Sequence, residues 1–324
     1  METLGRRILV TGASGFIGTH VCRQLLTSGY QIRALVRGSQ PFALSPNSTL
    51  ETVTGDLENP ESLYAACDAI DIVVHLAGIS HANNISQKRL FDINAVGTES
   101  LLAAAISKNV KKFIFLSSSL AETISEDASP TTAYGASKLK AEELLLKAHN
   151  SGLINVLVLR PVNVYGAGMR GNISTLIKLI SRSHIPRLPS LNTRISLVGI
   201  NDVIQAIELS IKYSNMEYKV YTLTDGKVYK INDLEERIYQ VLEKKMPAWR
   251  APRFALYLIL FFTGVVAKAL NKIGLNLPSI AGISSRTYRN LVSDNLFDNS
   301  EACVELGFEP NETFYNSLPK WLRG

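Results

Sequence analysis

Arg6-Arg7-Ile8-Leu9-Val10-Thr11-Gly12-Ala13-Ser14-Gly15-Phe16-Ile17-Gly18 runs from a short apolar strand into a glycine-spaced turn, and an amphipathic helix follows to about Ser28. The spacing is Gly-x-x-Gly-x-x-Gly. Gly12 allows a tight turn, Gly15 lets backbone approach a pyrophosphate, and Gly18 packs helix against strand, with the helix N-terminus facing the phosphates. A glycine pattern alone says little. Between a strand and a helix it reads as a dinucleotide site, with Ser14, Phe16 and Ile17 as the residues that complete its lining.

The elements after it keep alternating. A strand at Gln31 to Val36 ends at Arg37, where an NAD site would normally carry an Asp or Glu for the ribose hydroxyls. No acid is present, and a guanidinium suits a 2′-phosphate, so NADP is preferred over NAD; an ordinary solvated arginine is the other reading. A strand at Leu50 to Val53 leads to Gly55-Asp56-Leu57, whose Asp56 could accept from adenine N6. The strand Asp71 to Leu76 ends in Ala77-Gly78, small enough to leave room for a cofactor. A long helix spans Ser86 to Ser107 through Asn94, and a strand Lys112 to Leu116 follows. Strands alternating with helices and no hairpin signals imply an α/β, Rossmann-type doubly wound parallel sheet. Gly12, Arg37, Asp56, Ala77 and Ser117-Ser118 then stand at its carboxyl edge, where ligands lie.

Tyr134-Gly135-Ala136-Ser137-Lys138 puts a phenol and an ammonium one helical turn apart on one face. A free tyrosine titrates near pH ~10. A neighbouring cation favours the phenolate, which would let Tyr134 move a proton near neutrality. Tyr-x-x-x-Lys also occurs by accident on surface helices, so its weight comes from its company.

Composition narrows the class. The 324 residues are 46% hydrophobic, ample for a large core. Lys and Arg number 34 against 28 acids, a net charge of +6, with pI near 9.1. No Lys/Arg run marks a nucleic-acid surface; an anionic small molecule or an anionic membrane surface fits the charge. Cys22, Cys67 and Cys303 are scattered without metal spacing, which implies a reducing, cytoplasmic setting and no metal site. The chain enters a strand almost at once, with no signal-peptide pattern. Residues 254–267 are largely apolar for 14 residues, short of the ~20 needed to span a bilayer. A core helix is the favoured reading. A helix lying on the inner membrane is the other.

Together ValThrGlyAlaSerGlyPheIleGly, GlyAspLeu, HisLeuAlaGly, Asn94, the serines at 117–119 and TyrGlyAlaSerLys resemble the extended short-chain dehydrogenase/reductases, the NAD-dependent epimerase/dehydratase type, over roughly residues 7–165. The resemblance implies that Tyr134 transfers a proton, and that Lys138 lowers its pKa and holds the nicotinamide ribose. It implies that Ser118 bonds the substrate oxygen and that Asn94 stands near the site. Leu57, Leu76, Ala77 and Gly78 join the cofactor's lining. The loop from Ser118 to Tyr134 is shorter than usual in the family, which bears on the substrate pocket.

The C-terminal half is expected to carry the substrate. Asn163 and Asn172 resemble the asparagines that hold a sugar diphosphate, and Arg194 resembles the arginine on the pyrophosphate. His81 could face the sugar or merely occupy a loop. Asn201 or Asp202 reads as a helix cap. The expected organisation is a cofactor domain at 1–165 and a smaller, interleaved substrate-binding lobe at 166–324. The expected activity lies at C4 of a UDP-sugar, as a 4-keto reductase or a 4-epimerase in surface-polysaccharide synthesis, with NADP or NAD as cofactor and a homodimer as the assembly. A catalytically silent NADP-binding regulator or membrane-docked scaffold is the reading from a different class.

Overall fold

Runs rich in Val, Ile and Leu with no polar alternation suit strands covered on both faces. The computed structural model describes residues 5–38, 42–45, 48–79, 85–122, 132–182, 186–252 and 294–322. Central strands of this kind and more polar edge strands, seven in all, form one sheet: β1 (Arg7–Thr11), β2 (Gln31–Val36), β3 (Leu50–Thr54), β4 (Ile72–His75), β5 (Lys112–Leu116), β6 (Asn155–Pro161) and β9 (Lys219–Leu223). Their order is β3-β2-β1-β4-β5-β6-β9, and every pairing is parallel. The chain winds outward from β1 to β3, then returns to β4 on the other side of β1. That reversal opens a crevice at the carboxyl ends of β1 and β4, where Thr11 pairs with His75.

Alternate residues of each strand feed two cores. Ile8, Val10, Ile114, Leu116, Leu157 and Leu159 pack on the side of α1 (Phe16–Thr27) and α7 (Ile200–Lys212). Leu9, Phe113, Phe115, Val156 and Val158 pack on the side of α2 (Pro60–Ala66), α4 (Gly97–Ser107) and α5 (Ala133–Asn150). The long helix expected from Ser86 is interrupted: α3 (Gln87–Phe91) passes into a π turn at Asp92–Val96 before α4 resumes.

The smaller lobe holds a three-stranded sheet, β10 (Val228–Lys230), β8 (Arg194–Gly199) and β7 (Asn163–Tyr165). It packs on α6 (Asn172–Arg182), α8 (Ile231–Val241) and α9 (Phe314–Leu322) through a third core around Tyr165, Tyr229 and Phe314. Position 165 is no clean boundary, since β9 of the second half completes the main sheet and β7 of the first half pairs with β8. Gly199, not Asn201 or Asp202, caps α7, with no side-chain bond. Asp202 instead accepts the Asn311 N–H at 2.9 Å. The apolar stretch 254–267 lies outside the described residues, of which no helix is long and apolar enough to cross a membrane.

The turn after β1 depends on close approach. A Cβ on Gly18 would overlap the Gly12 carbonyl oxygen and sit 2.8 Å from Ala13 Cα, both backbone atoms. Gly18→Ala should therefore push α1 off the turn and cost about 1–3 kcal/mol, read as a lower Tm together with weaker nucleotide binding.

Candidate active site

Thr132 caps α5 by accepting the Gly135 N–H at 2.9 Å, which puts Tyr134 and Lys138 in its first two turns. Gly135 is required there, because a Cβ would overlap the carbonyl oxygen of Leu120, in the turn that follows Ser118. Tyr134 is half-buried and hydrogen-bonded to Ser118. Burial pushes its phenol up to about 12, and the Ser118 bond pulls the other way. Lys138 is buried. Its Nζ donates to the Leu116 carbonyl at 2.9 Å and lies 4.5 Å from the centre of the Phe115 ring. Burial lowers the ammonium to about 8, opposed by Glu142 one turn further along α5.

One expectation is corrected here. The lysine does not bring the phenol's pKa down in this structure: desolvation dominates Tyr134, and the ammonium is spent on Leu116 and the Phe115 ring. Of the three serines only Ser118 reaches the tyrosine. Ser117 Oγ donates to Glu142, which also takes two bonds from Arg160, at 3.1 and 2.6 Å.

Asn94 sits in the π turn, a distortion that often marks functional sites. Its Oδ1 accepts the Ile79 N–H at 2.8 Å, and its Nδ2 donates to the Ile79 carbonyl and to Ser137 Oγ, each at 3.0 Å. The amide thus clamps the exit of β4 to α5. A Cβ on Gly78 would lie 2.9 Å from Asn94 Oδ1 and 3.5 Å from Lys138 Nζ; its smallness serves these side chains. Ser137 and Glu142 escaped the sequence reading, although Glu142 stands four residues after Lys138 on the same helical face.

The glycine turn fits a dinucleotide's diphosphate. Gly12 has φ +68°, and a Cβ there would come within 2.7 Å of Ala77 N. Gly15 precedes α1 in an extended conformation without a capping side chain, leaving first-turn N–H groups for an anion. Ser14, Phe16 and Ile17 are partly buried around it, and Gly166 and Gly168 approach the Phe16 ring. Leu76 N donates to Thr11 O at 3.3 Å, and Ala77 N to Thr11 Oγ1 at 3.2 Å. Arg37 is exposed at the end of β2. Asp56 Oδ1 accepts the Glu58 N–H at 3.0 Å, a local turn bond. Leu57 is buried, and Gly97 must lack a side chain to admit it.

Among the substrate candidates, Asn163 and Asn172 are exposed at the starts of β7 and α6, and His81 lies outside the described residues. Arg194 is bound to Asp294, which accepts from its backbone N–H at 2.7 Å and from its guanidinium at 2.8 and 2.6 Å. No local pattern announces a partner so distant in the chain.

The lysine's burial has a measurable consequence. Its folded pKa lies below the unfolded value of ~10.4, so the native state binds this proton less well. This group's unfavourable contribution is fully present below about pH 8 and is relieved as pH rises towards the unfolded value. Lys138→Met should therefore gain Tm relative to the parent at pH 7, and the gain should shrink by pH 10.

Comparison with known proteins follows the same lines. The profile described as NAD dependent epimerase/dehydratase family matches residues 8–223. A UDP-glucose 4-epimerase of Vibrio cholerae is 27% identical over 76% of this chain and 78% of its own. An N-acetyl-alpha-D-glucosaminyl-diphospho-ditrans,octacis-undecaprenol 4-epimerase of Escherichia coli O157:H7 is 28% identical over 76% of this chain and 75% of its own. In fold, the dTDP-glucose 4,6-dehydratase DesIV of Streptomyces venezuelae, solved with NAD bound, superposes with a TM-score of 0.78 at 20% identity, covering 98% of this chain and 96% of that one. With two thirds of its length matched by the profile and its site built at the switch point of a doubly wound sheet, the chain belongs to the NAD dependent epimerase/dehydratase family.

Proposed function

We propose that the protein acts at C4 of a sugar carried on a diphosphate, as a 4-keto reductase or a 4-epimerase, with a UDP-sugar as substrate and surface-polysaccharide synthesis as the setting. The observation that carries this reading is the Ser118–Tyr134 hydrogen bond beside a buried, cationic Lys138. Gly12, Gly15 and the start of α1 would hold the dinucleotide's diphosphate, and Lys138 its nicotinamide ribose. The nicotinamide, when bound, supplies or accepts hydride. Tyr134 gives or takes the proton at the sugar oxygen while Ser118 orients that oxygen, and Asn94 holds the backbone around them. A phenol pushed up to about 12 is protonated at neutrality, which suits the donor role in reduction. A silent regulator would have no need of the complete set.

The cofactor reading favours NADP, because Arg37 ends β2 exposed, with no carboxylate beside it in the chain. Arg194, supported by Asp294, would clamp the sugar diphosphate, with Asn163 and Asn172 beside it. A homodimer is the proposed assembly. One observation favours a second substrate: residues 254–267 are apolar between Arg253 and Lys268, which suits contact with a bilayer, and one relative carries its sugar on undecaprenol diphosphate. A polyprenol-linked diphosphosugar keeps the same diphosphate and replaces the nucleoside with lipid.

Tyr134→Phe should keep nucleotide affinity while turnover falls ~100- to 10,000-fold, the usual worth of a positioned proton donor; near-parental kcat would sink the assignment. Arg37→Asp should move preference from NADP towards NAD by roughly tenfold or more, since a carboxylate repels the 2′-phosphate and binds the free diol. Competitive titration of both nucleotides decides it, and an unchanged ratio means Arg37 serves no phosphate. Arg194→Ala should raise KM, because a charge-assisted bond is worth ~1.5–3 kcal/mol, with NADP affinity unmoved. The assay compares a UDP-sugar, the same sugar free, and a polyprenol-diphosphate sugar in anionic vesicles. Flotation of the protein with vesicles and preference for the lipid-linked sugar would establish the second substrate; preference for the free sugar would refute both.

A further inference from the structure

His75 closes β4 with its imidazole fully buried and both ring nitrogens engaged. Nδ1 lies 2.6 Å from Thr11 Oγ1, and Nε2 lies 2.9 Å from Thr98 Oγ1. The other bonds of those hydroxyls set the direction of each contact. Thr98 Oγ1 donates its one proton to the Asn94 carbonyl at 2.6 Å, so it must accept from the ring. Thr11 Oγ1 accepts the Ala77 N–H at 3.2 Å, which leaves its own proton for Nδ1. The hydrogen bonds therefore run one way, from Ala77 through Thr11, His75 and Thr98 to Asn94. Thr98 thus fixes hydrogen on Nε2, and in the neutral ring Nδ1 accepts from Thr11.

This chain joins the elements that meet at the site. Thr11 is the residue before Gly12, Ala77 stands at the exit of β4, and Thr98 lies in the first turn of α4. Asn94 belongs to the π turn and reaches on to Ile79 and Ser137. The imidazole also stacks on Phe115 at 5.5 Å and 24°, the ring against which Lys138 Nζ rests. Burial, and then the Lys138 charge, hold the imidazole well below its ordinary pKa, which keeps the ring neutral and the proton that Thr98 fixes on Nε2 its only one.

We propose that His75 is a positioning residue: as the Nε2–H tautomer between Thr11 and Thr98, it ties the glycine turn to Asn94 and thereby sets the geometry around Tyr134 and Lys138. Its kinetic consequence rests on the proton-transfer reading of those two residues; its tautomer does not.

The tautomer is read by nitrogen-15 NMR of the imidazoles in the full chain, where Nε2–H is expected unchanged from pH 6 to 9. Thr98→Val removes the accepting hydroxyl at nearly constant volume, and Thr98→Ser keeps it. The valine variant should lower kcat about tenfold or more, move the pH–rate profile, leave substrate KM near the parent's and weaken NADPH binding; the serine variant should restore all of these. His75→Leu combined with Thr98→Val should be no worse than either alone. An Nδ1–H tautomer, or a ring titrating between pH 6 and 9, overturns the relay. Parental kcat, pH profile and NADPH affinity in Thr98→Val overturn the positioning role. If the parent turns over no diphosphate sugar, the functional reading fails while the tautomer and NADPH affinity still decide this one.

Discussion

The burial of one ammonium organises the site. Taking a lysine out of water is costly unless its charge finds partners, and Lys138 finds a carbonyl at the end of β5, the face of Phe115 and the Glu142 carboxylate one turn away. Each partner constrains something else. The Leu116 bond holds α5 against the sheet edge, and Glu142 recruits Ser117 and Arg160. Gly78 must stay bare because Asn94 and the lysine occupy its flank. A residue that lowers stability where function needs it is a common feature of active sites.

The diphosphate cradle obeys a different constraint, that of backbone proximity. Gly12 and Gly18 are glycines because Ala77 and the turn's own atoms approach where a Cβ would stand. Crowding of this kind joins β1, β4 and α1 into a rigid unit, with the N-terminus of α1 aimed at the crevice. The smaller lobe is tied in by chain continuity, since β9 closes the main sheet and leads directly into β10 of the smaller one.

Much of the main sheet was legible in the sequence because its strands are rich in branched and aromatic apolar residues: Gln31–Val36 and Lys112–Leu116 appear with the ends read from residue type alone. The three-residue strands β7 and β10 are too short to carry a period. The π turn preserves helical composition, so nothing in the residues around Asn94 announces it. At the site, the spacing of Tyr134 and Lys138 was legible, but the sign of the tyrosine's shift was not. That sign depends on which of burial and charge is larger, a three-dimensional quantity. Leu57 sits in a cofactor-like motif, yet its side chain faces Gly97. Arg194 looked like a free phosphate ligand until Asp294 was placed beside it.

Chemistry at C4 of a diphosphate-linked sugar can be followed at that carbon itself. Purified protein with NADP or NAD, and NADPH for the reductive direction, would be incubated with UDP-N-acetylglucosamine and with a UDP-4-keto-6-deoxy sugar, and carbon-13 NMR would monitor C4. Chemistry at C4 would give inversion of that carbon in the first or conversion of the ketone to a secondary alcohol in the second, with the UDP group retained. A C4 signal unchanged in both, while a steroid-like ketone is reduced under the same conditions, would contradict it.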